Sequence, residues 1–386
     1  MDISQLKKKL FAAEDEFAPE AERVSKYIFQ HPEIGGQEYV SAKFLAEEAA
    51  RLGFSVEMPY CGMDTAFRCE YGNEGGKTVA FLAEYDALPG YKNSPDGSGL
   101  AHACGHNWIA ASTLAACAAL KAVKPDFKGK IVWLGTPAEE NLGAKVTMAK
   151  AGVFDDIDAA FQFHLGPNNN VEPHELAMCD FYYTFTGRAS HAASSPEDGI
   201  NALDACNLTF AGINALRQHA TPDVKLHGII TQGGAACNIV PDHCVMQYYV
   251  RAGQKDYLEQ VIERVNNCAR GAALMTGCRL DIVRSENTYY DVRQDPVLAE
   301  KMRRNLEGLG VTEFTPGSVY KAGSSDIGNV SYACPTCYCY MGTRDYTSAD
   351  THDERFVEVV DSDFAHGLLH TAAKAMAATA LEVLLG

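Results

Sequence analysis

Between residues 4 and about 52, apolar side chains recur every three or four positions, the spacing that gives a helix one apolar face, and His31-Pro32-Glu33-Ile34-Gly35-Gly36 interrupts the run with turn-forming residues. Two helices joined by a turn are expected there. Residues 77–82 and 130–135 read differently, as short, nearly continuous apolar runs that end in polar loops, the signature of buried parallel strands. Residues 109–123, between them, are alanine-rich at helical spacing. Strand, polar loop and helix in that order form the unit of an open α/β sheet, which binds ligands beyond the carboxyl ends of its strands. Glu84-Tyr85-Asp86 and Glu139-Glu140 stand at such ends.

Near residue 175 the pattern changes. Residues 176–186 alternate, 199–218 form an amphipathic helix, 224–232 and 243–251 are strand-like, 257–275 are helical, and 279–283 are a strand again. This β-α-β-β-α-β order is the ferredoxin-like pattern. It predicts an inserted domain over 175–286, with 1–174 and 287–386 forming the enclosing one. The chain closes on an alanine-rich helix over 364–385.

At 386 residues, with 47% apolar and 22% charged, the chain can fill two cores. Its net charge of −17 argues against nucleic acid or an anionic membrane as partner and favours a small molecule. The start, Met-Asp-Ile-Ser-Gln-Leu-Lys-Lys-Lys-Leu, lacks the apolar core of a signal peptide, and no stretch of about eighteen apolar residues stands out. A cytoplasmic protein is expected. The thirteen cysteines are scattered through core-like segments, as buried reduced thiols are.

Cys104 and His106 flank a glycine in a loop leading into the 109–123 helix. A thiolate and an imidazole that close can bind one ion, with Gly105 letting the backbone turn tightly. The pair alone fits a buried cysteine and a capping histidine equally well. Glu139 and Glu140 follow a strand, so on extended backbone their side chains diverge, one free to bind metal and the other to move a proton. A hydrolase needs that division, because a divalent ion lowers the pKa of water from 15.7 to about 7 and a separate carboxylate relays the proton. Two adjacent glutamates usually mark only a solvated loop, and His164, at another strand end, would alone be structural. Cys334, Cys337 and Cys339 lack the second pair of a zinc ribbon and read as strand cysteines. Neither a Gly-x-Ser-x-Gly elbow nor a P-loop lysine occurs.

Eight segments together resemble one family: His31-Pro32-Glu33-Ile34-Gly35, Ala83-Glu84-Tyr85-Asp86-Ala87-Leu88-Pro89-Gly90, His102-Ala103-Cys104-Gly105-His106-Asn107, Gly135-Thr136-Pro137-Ala138-Glu139-Glu140, Phe163-His164-Leu165-Gly166, Gly187-Arg188-Ala189-Ser190-His191-Ala192, Asn238-Ile239-Val240-Pro241 and Gly323-Ser324-Ser325-Asp326-Ile327-Gly328. The sequence is similar to the dinuclear metal-dependent aminoacylase and carboxypeptidase family, in the amidohydrolase branch acting on p-aminobenzoyl-glutamate and aminoacyl dipeptides. The resemblance implies an α/β, phosphorylase/hydrolase-like mixed-sheet catalytic domain with an inserted ferredoxin-like α+β domain serving as lid and dimerisation surface. It implies that Cys104, His106, Glu140 and His164 bind one or two divalent ions, zinc or manganese, with Glu139 as general base. The family's last ligand is a histidine followed four residues on by an aromatic. His352 with Phe356 fits, while His366 and His370 compete from the final helix. His191 would reach over the active site of a partner subunit in a homodimer and stabilise the oxyanion. Asn238, Arg251 and Ser325 would contact substrate, and Asp86 would support a ligand.

Two departures stand out. Asn107-Trp108-Ile109 replaces the Asp-x-His of many relatives, which puts a supporting carboxylate and an imidazole in doubt. Glu84 stands where the peptidase branch has a metal-binding histidine. The expected activity is cleavage of the amide of an N-acyl amino acid or short dipeptide. The alternatives are a noncatalytic metal-binding or regulatory subunit, and a thiol enzyme using Cys104 with His106.

Overall fold

The computed structural model describes residues 2–123, 128–318 and 322–386. The Asp2 carboxylate accepts the Ser4 N–H and caps α1 (Ile3–Gln30), which the His31–Gly36 turn separates from α2 (Tyr39–Arg51). Then come β1 (Ser55–Glu57), β2 (Phe67–Gly72), β3 (Thr78–Ala83), the short ladder β4 (Leu88–Pro89) and β5 (Leu100–Ala101), α3 (His106–Ala122), β6 (Lys130–Gly135), α4 (Ala144–Lys150) and β7 (Ala159–Gly166). The middle of the chain holds β8 (Ala177–Thr186), α5 (Ala202–Leu216), β9 (Lys225–Gln232), β10 (His243–Ala252), α6 (Lys255–Thr276) and β11 (Arg279–Arg284). It ends with α7 (Pro296–Gly308), α8 (Ile327–Ser331), β12 (Thr336–Gly342), α9 (Phe356–Val360) and α10 (Asp363–Leu385).

The chain divides into two compact units, Met1–Pro173 with Val292–Gly317 and Asn329–Gly386, and His174–Asp291 with Ser318–Gly328. The first is built on a mixed sheet in the order β1-β2-β6-β3-β7-β12. β6, β3, β7 and β12 run parallel, and β2 runs antiparallel to β6. Their carboxyl ends therefore open on one edge, and β3 and β7 are buried at every residue. β12 carries Cys337 and Cys339, both buried, a few residues beyond Cys334.

Helix α3 is buried on nearly all faces. Asn107 donates Nδ2 to Ser25 Oγ of α1 at 3.0 Å, and Trp108 donates its indole N–H to the Ala365 carbonyl of α10 at 2.7 Å. The Asn-Trp-Ile departure thus fastens α3 to its neighbours. Helix α10 corrects the expectation that no apolar stretch is long enough to span a membrane: its 23 residues have a mean hydropathy of 1.3 in the most apolar window. Two thirds of that window is buried. The same composition arises in a helix surrounded by core, and Leu369, Ala372, Ala373, Met376 and Leu381 are fully covered.

A ladder of charges joins α1 to α10. His370 Nδ1 lies 2.9 Å from Glu14 Oε1 and its Nε2 3.3 Å from Glu22 Oε1, while Lys374 Nζ lies 3.4 Å from Glu14 Oε2. Glu14 is fully buried, and His370 and Lys374 are the cations paired with it. Burial disfavours a charged His370, but Glu14 and Glu22 outweigh it and raise its pKa above the ordinary 6.5. A histidine raised by folding adds stability that is fully present below the unfolded pKa and is lost as pH rises through the folded one. His370→Gln should therefore lower the melting temperature more at pH 6 than at pH 9. An equal loss at both would mean that only packing is involved.

The second unit is a four-stranded antiparallel sheet in the order β11-β8-β10-β9, with α5 and α6 on one face. That is the ferredoxin-like arrangement the pattern predicted. β8 and β10 alternate cleanly: Cys179, Phe181, Tyr183 and Phe185 face Met246, Tyr248 and Val250 in a core under the helices. Residues 322–328, which the sequence pattern leaves with the enclosing domain, group with this unit. Leu176 N–H donates to Gly323 O at 2.7 Å, and Arg251 Nη1 to Ser324 Oγ at 3.0 Å.

Candidate metal centre

Gly105 adopts φ +82 and caps α3 without a side-chain bond, which puts Cys104 and His106 on either side of a left-handed turn. His106, fully buried, is held by Asp86 Oδ1, 2.7 Å from its Nδ1. His164 comes from the end of β7, and its Nδ1 donates to the Leu165 carbonyl at 2.6 Å. Each imidazole thus has one nitrogen committed to an oxygen and the other, Nε2, turned to a common space, as metal-binding histidines are oriented. His164 Nε2 lies 3.4 Å from Cys104 Sγ.

Glu139 and Glu140 do not follow β6 on extended backbone, as the sequence suggests. Ala138 has φ +61, and the two glutamates lie in a tight turn. The turn is held by Glu38, whose Oε1 accepts the Ala138 N–H at 2.7 Å and whose Oε2 accepts from Thr65 Oγ1 at 3.0 Å and Gly36 N at 2.9 Å. Burial, then the nearby Asp86, pushes the Glu38 carboxyl up to about 7. Asp86 Oδ2 also accepts the Glu140 N–H at 3.0 Å, so one aspartate positions both the His106 ring and the glutamate turn. Asp86 is the residue expected to support a ligand, and its contacts are the His106 ring and the Glu140 N–H.

His352 is also at positive φ, +69, and its N–H donates to Ala103 O at 2.8 Å, tying its loop to the Cys104 segment. Its Nε2 lies 3.3 Å from Glu140 Oε1. Strained non-glycine residues concentrate at functional sites, and Ala138 and His352 are two of the three at positive φ among the described residues. His366 and His370 instead face Glu22, Asp361 and Glu14.

Among the described residues, three overlapping groups that lie wholly within the first unit have their donor atoms within 4.8 Å: Cys104, His106 and His164; Cys104, Glu140 and His352; His106, Glu139 and Glu140. Ligands at 2.0–2.3 Å around a tetrahedral ion lie roughly 3.3–3.8 Å apart. The separations of 3.4 Å for Cys104–His164 and 3.3 Å for Glu140–His352 match, and 3.9 Å for His106–Glu140 is close. Among the described residues, His106 Nε2, Glu84 Oε2 and Glu140 Oε1 are buried without a hydrogen-bond partner. Burial opposes charge on His106, yet Asp86, Cys104 and Glu84 outweigh it and raise its pKa well above the usual value. Positive charge is strongly favoured here. The donor set fits divalent ions, with Cys104 common to two groups. Burial, then Glu140, pushes the Cys104 thiol up, the reverse of what a thiol nucleophile needs.

Two partners of the cluster escape the sequence reading. Lys145, fully buried in the first turn of α4, places Nζ 2.6 Å from Glu84 Oε1, and Gln162 Nε2 donates to the same oxygen at 2.7 Å. Gln162 precedes His164 by two in a strand, hence shares its face, a signal that could have found it. Lys145 has no comparable mark. Burial alone would raise Glu84, but Lys145, His106 and His164 hold it down to about 2.

The other predicted residues belong to the second unit. His191 is exposed and bridges to Ile239; its Nδ1 accepts the Ala193 and Ser194 N–H groups at 3.2 and 3.1 Å, and Ala192 N–H donates to Asn238 O at 3.0 Å. His191 and Asn238 thus share one pair of adjoining loops. Arg251 sits on the open face of β10 beside Ser324, and Ser325 is buried with Oγ accepting the Ile327 N–H at 3.3 Å.

Residues 80–381 match Peptidase family M20/M25/M40. The Xaa-Arg dipeptidase of Mus musculus is 35% identical, the alignment covering 99% of this chain and 90% of that protein. One of the subunits of the p-aminobenzoyl-glutamate hydrolase of Escherichia coli is 29% identical over 94% of this chain and 88% of its own. Among solved structures, an aminobenzoyl-glutamate utilization protein from Klebsiella pneumoniae superposes with a TM-score of 0.73 at 21% identity, covering 97% of this chain and 98% of that one. A dinuclear metal binding peptidase from Bacillus subtilis gives 0.70 at 22%, covering 96% and 99%. At those identities the structures speak for the fold.

Proposed function

Because this chain belongs to Peptidase family M20/M25/M40 and is a hydrolase of peptide or related amide bonds, we propose that it uses divalent metal to release an amino acid from an N-acyl amino acid or dipeptide. The observation that carries this reading is Glu139. Once Cys104, His106, His164, Glu140 and His352 are taken as ligands, Glu139 remains as a second carboxylate in the same cluster, which binding alone does not need. That also weighs against a noncatalytic metal-binding subunit.

Zinc or manganese held by those five residues supplies Lewis acidity and a lowered water pKa. Two ions are favoured, because two donor groups meet at Cys104. Glu139 takes the proton of the attacking water and delivers it to the leaving nitrogen. Asp86 holds His106 and the Glu140 turn in register, and Glu38 keeps the Glu139 turn in its strained conformation. Arg251 suits the substrate carboxylate, since guanidinium forks onto carboxylates with paired hydrogen bonds. Asn238 and Ser325 complete that side. The relatives are named for a dipeptide ending in arginine and for p-aminobenzoyl-glutamate, both of them amides on an amino-acid nitrogen. A homodimer fits strand β9, an open sheet edge bearing the exposed Ile229, and would let His191 serve the partner's oxyanion.

The test is metal analysis of the purified protein with hydrolysis assays on a panel of dipeptides and N-acyl amino acids. One or two ions per chain and a turnover that a chelator abolishes and added zinc or manganese restores are expected. Chelator-resistant turnover, or metal-free protein that no divalent ion activates on any substrate, would overturn the proposal.

A further inference from the structure

Lys145 contributes to none of the donor groups, yet it is fully buried beside them. A buried ammonium is costly unless paired, and an apolar side chain of similar length would fill the same space without that cost. Its charge is therefore the feature to explain. The Glu84 carboxylate is divided between two tasks. Oε1 accepts from Lys145 at 2.6 Å and Gln162 at 2.7 Å, while Oε2, without a hydrogen-bond partner among the described residues, lies 3.3 Å from His106 Nε2. That separation is what two ligands of one ion would show.

We propose that Lys145 is a resident monovalent counter-ion of the metal centre, which occupies Glu84, keeps that carboxylate from serving as a further ligand, and so limits how tightly the centre holds its divalent ions. The proposal rests on the metal-centre reading above. Lys145 is a positioning residue that acts on the ions by holding Glu84 and, where Glu84 is lost, by its own uncompensated charge. Its removal should release Glu84 toward His106 and strengthen metal binding, the opposite of what damage to a supporting residue does.

Metal-free protein would be titrated with Zn2+ or Mn2+ against a chromophoric chelator. Lys145→Met should bind about ten- to a hundredfold more tightly than the native chain, Glu84→Gln more weakly by a similar factor, and the double variant should return toward the native value, the span being that of partners behind metal ligands. Unchanged or weaker binding by Lys145→Met overturns the inference. Should that variant not fold, the charge-neutral double variant is compared with Glu84→Gln; tighter binding by the double variant supports the inference and equal or weaker binding overturns it. A native chain that takes up no divalent ion fails the metal-centre reading itself, and with it this inference.

Discussion

Glu139→Gln is expected to lower kcat by about 10²–10⁴, the range for removing a general acid–base group, while metal content stays at the native value. At 1.36 kcal/mol per decade this is roughly 3–5 kcal/mol of transition-state stabilisation. The amide keeps the volume of the side chain and the turn around Ala138, but it cannot take a proton from water and pass it to an amine. The turn itself should survive, because its hydrogen bonds come from Glu38 and from Ala138 O, which accepts the Leu142 and Gly143 N–H groups at 3.0 and 2.7 Å. Metal analysis decides how a loss of rate is understood. A variant that is slow and metal-replete assigns Glu139 to proton transfer. One that has lost metal makes Glu139 a ligand and reopens the question of the base, while one that keeps its full rate removes Glu139 from the mechanism.

Much of the fold is legible in the chain because its elements carry strong local periodicity. The two helices before residue 52, the buried strands β3 and β6, and the β-α-β-β-α-β order of the second unit follow the apolar pattern closely. What pattern does not show arises from contacts distant in sequence. Helix α10 is as apolar as a spanning segment because α1, α3 and α7 pack around it, and composition does not separate those two environments. The glutamate turn reads as extended because nothing in Thr136-Pro137-Ala138 announces a left-handed alanine. It is Glu38, a hundred residues earlier, that holds it there. Cys104, His106, Glu140, His164 and His352 are legible as a set of residue types in a recognisable order, and the chain brings them together. Of the support behind them, Asp86 is legible and Lys145 is not: Lys145 reaches Glu84 across 61 positions, and a lone lysine in a helix reads as a surface charge. The Asn107-Trp108 departure reads as a lost support for metal. In place, those residues face α1 and α10, and Asp86 supplies the carboxylate to His106.

Cys104→Ser should remove more of the metal centre than His352→Ala, because Cys104 belongs both to the group with His106 and His164 and to the group with Glu140 and His352. A serine hydroxyl stays protonated near neutral pH and is a harder, weaker donor than a thiolate, so both groups lose their common anionic ligand. His352→Ala, by contrast, removes a donor only from the second group. Native protein given excess zinc or manganese should gain stability by mass action, about 2.7 kcal/mol at a free concentration a hundred times the dissociation constant. That gain would register as a metal-dependent rise in melting temperature. Cys104→Ser should show little or none of it and little bound metal, whereas His352→Ala should keep part of both. The metal-free melting temperatures of the native chain and Cys104→Ser should stay within a few degrees, since Cys104 adds one small buried side chain to the fold and its larger role is toward the ions. Full metal content in Cys104→Ser would show that the two donor groups hold their ions independently of the thiol, and the shared-ligand geometry would then have no functional weight.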